Sequence, residues 1–415
     1  MPGLSSQERE VLSTLDGKRD AMLAHVEAWA AINSGSRNLA GLARMADELA
    51  GAFAPLGTVS LREPAPVEAP DASGKAQPLP HGRNLHVVRD GEAMTRVLLT
   101  GHMDTVFAAD HPFQSLTWLD DNRLNGPGTA DMKGGIAVML AALEAFEVSP
   151  FARHLAWEVV INSDEEVSSL GSAPLLAEAA QRCEVGLTYE PALPDGTLAG
   201  ARKGSGNFSA VIRGRAAHAG REPEKGRNAI VAASDLAMRF AVLARDGLSV
   251  NPAKIDGGGP NNIVPDLAIL RFNMRPSTLT DQRAAEQAIA EAIHGVKSLH
   301  EVSIELHGTF ARPPKPMDEN QLRLFELVRD CGADLGLPVG WRDTGGVCDG
   351  NNLAAQGLPV VDTLGVRGGS IHSSDEFMLA DSLLERAKLS ALILMRLAQG
   401  RLPSVSDDAG EGRLS

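Results

Sequence analysis

Short apolar runs and segments of helical periodicity alternate along most of the chain. Runs of strand length lie at 96–104, 154–163 and 184–190, and helical spacing marks 7–33, 38–55, 134–146 and 171–183. Strands that alternate with helices of this length build a mostly parallel sheet covered by helices on both faces. The pattern therefore predicts an α/β fold.

The alternation changes near residue 203 and resumes after residue 316. Between them lie strand-like runs at 207–219, 267–277 and 301–308 and helical runs at 226–245 and 281–296. Two helices on one antiparallel sheet, followed by the Pro-rich link "ARPPKP", indicate a separate α+β unit. We predict a catalytic domain made of residues 1–202 and 313–415, interrupted by a smaller inserted domain at 203–312, a size within the ordinary range.

Two further segments stand outside this alternation. Residues 62–80, "REPAPVEAPDASGKAQPLP", are rich in proline and predict a surface loop. The acidic stretch after Pro403 predicts a frayed tail.

Charge and composition narrow the classes of function. The chain carries 39 basic and 53 acidic residues, a net charge of −14, which argues against nucleic acids and anionic membrane surfaces as partners. The start of the chain lacks the apolar core of a signal peptide, and no run approaches the roughly 20 apolar residues of a membrane span. Three scattered cysteines suit neither a disulfide framework nor a cysteine zinc site. We expect a cytoplasmic protein.

Polar residues recur where the predicted strands end. His102 and Asp104 close one strand, and because side chains two apart on a strand share a face, they project together. Further candidates follow in the same way, namely Asp131 at a glycine-rich helix start and Glu165, Glu166, Glu190 and His372 near other strand ends. Ligands of α/β sheets gather beyond the carboxyl ends of the strands, so these side chains are expected to converge.

Each candidate also has an ordinary structural explanation. Asp131 suits a helix cap, Glu165 and Glu166 suit a solvated turn, and a lone His372 suits a structural role. A phosphate loop does not fit, because Lys133 is not preceded by glycine or followed by Ser or Thr. Taken together, two histidines and three carboxylates form the ligand mixture of paired divalent metals, zinc above all. Adjacent glutamates diverge, so one can bind metal while the other acts as a general base.

The chain resembles the zinc-dependent aminoacylase, acetylornithine deacetylase and glutamate carboxypeptidase family, most closely its bacterial folate-cleaving glutamate carboxypeptidase branch. The stretches that carry the resemblance span residues 84 to 378 and are "GHMDTV", "GPGTADMKGG", "NSDEEVSSLGS", "YEPA", "GRAAHAG", "NNIVPD", "MRPS", "TGGVCDGN" and "IHSSDEF". They occur in the family's order, and as a set they are specific.

The resemblance implies a role for each candidate in the catalytic domain. His102 and Glu190 are implied as ligands of one zinc ion, Glu166 and His372 as ligands of the other, and Asp131 as the bridge between them. A cis peptide bond is implied after Asp131. The resemblance further implies that Glu165 is the general base and that Asp104 orients the imidazole of His102.

The resemblance also gives the inserted domain a function, that of a dimerisation or lid domain. It implies that His218 stabilises the oxyanion from the partner subunit and that Asn262 and Arg275 hold the free carboxylate of the substrate. Arginine suits that task because its planar fork grips a carboxylate bidentately. Without the family, a turn histidine and a surface strand arginine would be the simpler interpretations.

We therefore expect a dizinc amide hydrolase that releases a C-terminal amino acid, with glutamate as a candidate, from an N-acyl or peptidyl substrate. An N-acyl-amino-acid deacylase or a dipeptidase on the same scaffold is the alternative. A catalytically silent dimeric binding protein is the remote alternative, since such proteins tend to lose a ligand or the base. The stretch "TGGVCDGN" departs from the folate-cleaving branch at Cys348 and leaves the side-chain specificity open.

Overall fold

The computed structural model describes residues 3–91 and 95–401, so the predicted tail after Pro403 lies outside the described residues. The α-helices are α1 Ser6–Ser13, α2 Arg19–Ala30, α3 Leu39–Phe53, α4 Gly134–Glu147, α5 Ala173–Ala180, α6 Ala229–Ala241, α7 Leu279–His300, α8 Glu319–Asp334, α9 Asp349–Ala355 and α10 Ser382–Ala398. The strands are β1 Thr58–Arg62, β2 Glu68–Pro70, β3 Ala76–Pro78, β4 Asn84–Arg89, β5 Arg96–His102, β6 Thr117–Trp118, β7 Arg123–Asn125, β8 Ala156–Asn162, β9 Val185–Thr188, β10 Leu198–Arg202, β11 Ser205–Arg213, β12 Leu248–Gly257, β13 Leu267–Pro276, β14 Ser303–Arg312, β15 Trp341–Thr344, β16 Val360–Val361, β17 Gly368–Gly369 and β18 Phe377–Leu379.

A six-stranded sheet in the order β1-β4-β8-β5-β9-β16 forms the centre of the catalytic part. The strands from β8 to β16 are parallel neighbours, and β1 and β4 add an antiparallel edge. Alternate side chains of β5 face opposite sides, so Val97 and Leu99 pack in the core that contains α2, α3, α4 and α10. Leu98 packs with α5 and α9 on the other side. The predicted α/β fold with helices on both faces is confirmed.

The segment after β10 forms a second, antiparallel sheet in the order β12-β13-β11-β14. Helices α6 and α7 cover it and share a separate hydrophobic core with it, in which Phe208 and Phe240 both lie against Phe272. Strand β12 was not predicted, because it contains Pro252 and polar residues. It lies at the sheet edge and its register shifts after Pro252, which is where a strand tolerates proline. The domain bounds at 203 and 312 stay a prediction.

The two chain crossings between these units lie side by side. Arg202 and Lys315 exchange backbone hydrogen bonds, with N···O distances of 2.9 and 3.0 Å. Their side chains converge on the buried carboxylate of Asp362, which lies 2.7 Å from Arg202 Nε and 2.8 Å from Lys315 Nζ. Burying these charges is tolerable because they are paired. The exit and the return of the inserted segment are thus joined.

The predicted loop at 62–80 contains an antiparallel hairpin of β2 and β3. Its turn reaches the inserted sheet, where Arg213 Nη2 donates to the carbonyl oxygens of Ser73 at 3.3 Å and Gly74 at 2.9 Å. Gly74 has φ +71°, and a Cβ there would lie 2.5 Å from Val211 Cγ1, so glycine is required for this close approach. The hairpin therefore links the catalytic sheet to the inserted sheet.

The helical pattern at 7–33 also differs from the structure. This segment is divided into α1 and α2 at a turn that contains Gly17, whose φ of +79° no helix accommodates.

Among the described residues, no helix is both long enough and apolar enough to cross a membrane.

Candidate active site

Five predicted side chains converge at the carboxyl ends of the central strands. They form two groups that share Asp131, the first with His102 and Glu190 and the second with Glu166 and His372. His102 is the last residue of β5, and the two glutamates follow β8 and β9. The parallel order of these strands brings their ends to one edge of the sheet, as ligand-binding α/β proteins require.

The first group is buried. His102 Nε2 lies 3.0 Å from Asp131 Oδ1 and 3.8 Å from Glu190 Oε2. The other ring nitrogen, Nδ1, lies 3.0 Å from the backbone oxygen of Asp104 and 3.4 Å from its Oδ1. Burial alone would lower the pKa of His102, but the charge of Glu190 and the hydrogen bonds to Asp104 and Asp131 raise it well above its usual value. The carboxylates around His102 therefore favour a positive charge at this position.

The second group is partly open to solvent. His372 Nε2 lies 3.1 Å from Glu166 Oε2 and 3.3 Å from Asp131 Oδ2, and 53% of the His372 side chain is exposed. Hydrogen bonding to Asp131 and Glu166 raises the pKa of His372 to about 11. Burial, with the charge of Asp131 second, raises the pKa of Glu166 to about 7. Asp131 thus offers Oδ1 to one group and Oδ2 to the other.

This donor set fits two divalent cations. Within each group the ligand atoms lie within 4.8 Å of one another. One imidazole nitrogen and two carboxylate oxygens per group match the ligands that zinc accepts while leaving a position open, and a shared carboxylate is typical of two-metal sites. Carboxylates this close repel one another unless a cation lies between them.

Asp131 is held by the turn that leads into α4. The peptide bond between Asp131 and Met132 is cis, as the resemblance implied. The fully buried Glu376 accepts the backbone N–H groups of Ala130 at 3.0 Å and Asp131 at 3.1 Å through Oε1. This carboxylate connects the turn to the segment that carries His372.

Asp104 holds the turn that follows β8. Its Oδ1 accepts the backbone N–H of Glu165 at 3.1 Å, and its Oδ2 accepts that of Glu166 at 3.2 Å and the hydroxyl of Ser36 at 2.7 Å. The residue predicted to orient His102 therefore also fixes the backbone of the two glutamates.

The side chain of Glu165 is paired with an arginine from the end of β14. Arg312 Nη2 lies 2.7 Å from Glu165 Oε1 and also donates to the backbone oxygen of Glu165 at 2.7 Å and to Ser169 Oγ at 2.9 Å. Burial raises the pKa of Glu165 well above its usual value, and the charge of Arg312 acts in the opposite direction. A buried carboxylate with a raised pKa is suited to accept a proton near neutral pH.

A cavity of about 890 Å³ opens onto both groups and onto Glu165. Arg275 lines it and donates from Nη1 to the backbone oxygen of Gly345 at 2.9 Å. Cys348 also lines it, and burial raises the pKa of that thiol well above its usual value. A thiol held protonated is a poor nucleophile, so Cys348 is suited to line the cavity and not to attack a substrate.

Two predicted residues lie elsewhere. His218 and Asn262 are exposed neighbours on the inserted domain, where the N–H of Ala219 donates to the backbone oxygen of Asn262 at 2.9 Å. Within the described part of the chain, neither is among the residues that line the cavity.

The sequence did not predict Arg312 or Glu376. Glu376 lies in the same short stretch as His372, "IHSSDEF", which was the available signal. Arg312 follows an ordinary strand pattern, and its partner Glu165 is 147 residues away, so nothing in the sequence linked them.

The catalytic core and the inserted segment both fall within one family. The model for "Peptidase family M20/M25/M40" matches residues 98–396, which is more than half of the chain. The chain belongs to this peptidase family. The resemblance identified from the sequence is confirmed, and so is its consequence that the protein is a hydrolytic enzyme of the metallopeptidase type.

Relatives of this M20 family chain cover nearly its whole length. Carboxypeptidase G2 from Pseudomonas sp. (strain RS-16) is 29% identical over 92% of this chain and 91% of its own. A succinyl-diaminopimelate desuccinylase from Verminephrobacter eiseniae (strain EF01-2) is 26% identical over 86% of this chain and 94% of its own. The solved structure of Bacillus subtilis YXEP protein, a dinuclear metal-binding peptidase of the M20 family, matches with a TM-score of 0.65, covering 92% of this chain and 99% of that one at 13% identity. At that identity the structure supports the fold alone.

Proposed function

We propose that this M20 hydrolase uses two divalent metal ions, with zinc as the native metal, to release a C-terminal amino acid from an N-acyl or peptidyl substrate. The observation that carries the proposal is the pair of His-and-carboxylate groups sharing Asp131, with the buried Glu165 beside them. When bound, the ions would supply Lewis-acid polarisation of the scissile carbonyl and of the attacking water.

We assign the ions to the side chains as the family resemblance implies. His102 and Glu190 hold one, Glu166 and His372 hold the other, and Asp131 is shared, an assignment supported by the two groups of ligand atoms. Asp104 keeps the proton of His102 on Nδ1, leaving Nε2 free to bind metal.

Glu165 carries the proton in the proposed reaction. Its carboxylate takes a proton from the attacking water and passes it to the nitrogen of the leaving amine. Burial supports this role because it raises the affinity of the carboxylate for a proton, while Arg312 fixes one of the two oxygens.

Arg275 is proposed to bind the free carboxylate of the substrate. It lies in the cavity wall and donates to the neutral oxygens of Gly345 and Asn273. Its positive charge therefore has no carboxylate partner among the described residues, and a substrate carboxylate would supply one bidentately.

We further propose a homodimer through the inserted domain, in which His218 and Asn262 act on the neighbour's site. Their exposed position away from the cavity supports this role. So does the apolar face of α6, where Val231 and Met238 are 50% and 66% exposed, and which Val242, 76% exposed, extends just past the end of the helix. An exposed apolar helix beside the open edge strand β12 is a typical protein interface.

A deacylase or dipeptidase activity remains the alternative, because the relatives include both a carboxypeptidase and a desuccinylase by name. The choice of acyl group is part of the same alternative.

We also propose that the protein is cytoplasmic. The three cysteines are free, which suits a reducing compartment.

The test uses the purified protein with and without Zn²⁺ against N-acyl amino acids and dipeptides, each paired with its C-terminal amide. We expect release of the amino acid from the free acids, loss of activity with a chelator, and recovery on adding Zn²⁺. Arg275→Lys should raise KM strongly, because a point charge cannot copy the guanidinium fork. Equal rates on acids and amides would favour a general amidase, and activity that survives chelation would refute the metal assignment.

A further inference from the structure

We propose that Glu376 is a positioning residue that sets the spacing between Asp131 and His372, and that it controls occupancy of the second metal site more than the first. The inference rests on the proposed metal assignment. The two groups differ in burial, because the first is buried whereas the second depends on His372, a half-exposed histidine in a loop.

His372 lies in the turn between β17 and β18. These short strands pair antiparallel, with Gly368 opposite Met378 and Gly369 opposite Phe377, so His372 projects from the end of a hairpin. Its φ of +63° is unusual for a residue with a side chain. A ligand at such a position depends on the contacts that hold the hairpin.

Glu376 lies on the returning side of the same hairpin and has no exposed surface. Through Oε1 it accepts both backbone N–H groups at the head of the Asp131 turn, Ala130 and Asp131 itself. One oxygen atom thus joins the hairpin that carries His372 to the turn that carries Asp131. Buried hydrogen bonds of this kind are costly to break because the two donors would lose this partner away from water.

A second contact fixes the backbone of Glu376 in the same place. Asn125 at the end of β7 donates from Nδ2 to the backbone oxygens of Ser374 at 3.0 Å and Glu376 at 2.7 Å. The main chain of the hairpin is therefore held independently, so removal of the Glu376 carboxylate alters the connection to Asp131 and leaves β18 in place.

The effect should differ between the two ions. The first site shares Asp131, but its other two ligands, His102 and Glu190, stand at the buried ends of β5 and β9 and do not depend on the hairpin that carries Glu376. At the second site both Asp131 and His372 lose their common anchor. Changes to partners that orient metal ligands typically lower metal affinity about 10–100-fold.

The experiment is calorimetric titration of metal-free protein with Zn²⁺ in competition with a chelator. For Glu376→Ala we expect the first ion to bind within about threefold of wild type and the second to bind at least about 10-fold more weakly. Glu376→Gln keeps an oxygen acceptor for both N–H groups, so it should bind the second ion nearly as wild type does, although less stably folded. The matched control is Glu8→Ala, which removes another fully buried carboxylate that accepts a backbone N–H, far from the site.

Should Glu376→Ala fail to fold, Glu376→Asp carries the test, because its shorter carboxylate cannot reach both N–H groups and should lose the second ion selectively. Two ions bound as in wild type, equal weakening of both, or the same metal loss in Glu8→Ala would overturn the inference. Wild type that takes up no Zn²⁺ would instead refute the proposed function, so the two failures are distinguishable.

Discussion

At the scale of single residues, Glu165 differs from the other carboxylates of the site in its partner. The ligand carboxylates face imidazoles, whereas the nearest cation to Glu165 is the guanidinium of Arg312 at 2.7 Å. Burial and this ion pair have opposite effects on the pKa of Glu165, and burial dominates. Such a carboxylate can gain and lose a proton without leaving its place.

The corresponding prediction is that Glu165→Gln lowers kcat by about 10²–10⁴-fold, because the amide cannot take a proton from water. Metal content should stay at the wild-type value, measured by elemental analysis after dialysis. Glu158→Gln is the control, since Glu158 is also buried and paired with an arginine, Arg182 at 2.7 Å. Parallel loss of zinc and activity in Glu165→Gln would make Glu165 a ligand instead.

The site residues that the sequence predicts are those whose position depends on the strand they follow. The candidates that converge, such as His102 and Glu190, follow apolar strands, and parallel strands bring their ends together. Arg312 and Glu376 were not predicted because their partners lie 147 and 245 residues away along the chain, and a local pattern does not identify so distant a partner. Long-range pairs of this kind depend on the completed fold.

At the scale of elements, the hairpin of β2 and β3 connects the two sheets at a place away from the covalent crossings. Arg213 holds its turn by the carbonyl oxygens of Ser73 and Gly74. The hairpin leaves the main sheet at β1 and returns at β4, so it transmits the position of the inserted sheet to an edge of the central sheet.

We predict that Arg213→Gln speeds amide hydrogen exchange in residues 66–80 about fivefold, since a net loss of about 1 kcal/mol is expected for the two side-chain hydrogen bonds. Gly74→Val should have a larger effect because its Cβ would meet Val211. Arg215→Gln is the control, as Arg215 is also exposed on the inserted domain but contacts Lys225. Unchanged exchange in both Arg213→Gln and Gly74→Val would refute the link.

The elements missed by the sequence share a physical cause. Strand β12 contains Pro252 and alternates poorly because it is an exposed edge, and β17 and β18 are only two and three residues long. Helix α9 has seven residues, too few for a periodic pattern. Long buried strands and helices such as β8 and α4 were predicted because a full apolar pattern marks them.

At the scale of the whole molecule, a single chain leaves His218 outside the cavity that it is expected to serve. A twofold dimer through α6 and β12 would let each inserted domain act on the neighbouring site. That arrangement has a consequence that a monomeric enzyme cannot show.

Two inactive variants should restore each other. His218→Ala and Glu165→Ala, mixed under conditions that exchange subunits, form heterodimers in which one site keeps both residues. About half of the dimers are mixed, so activity should recover to about a quarter of wild type. Subunit exchange is verified by native mass spectrometry, and each variant incubated alone is the control. No recovery despite confirmed exchange would place His218 in its own chain's site or remove it from the reaction.

The paired crossings at Arg202 and Lys315 bear on how such an enzyme arises and can be rebuilt. Because the inserted segment begins and ends at hydrogen-bonded neighbours, the catalytic domain need not move to accommodate it. Joining the two ends directly would cost only the closure entropy of a short loop. A gene that replaced residues 204–314 with two or three glycines should still encode a folded host domain with all five proposed ligands, which lie outside that interval. Recombination at this point could therefore exchange substrate preference while the five proposed metal ligands and Glu165 are inherited, provided that the new segment supplies a cation for Glu165 in place of Arg312.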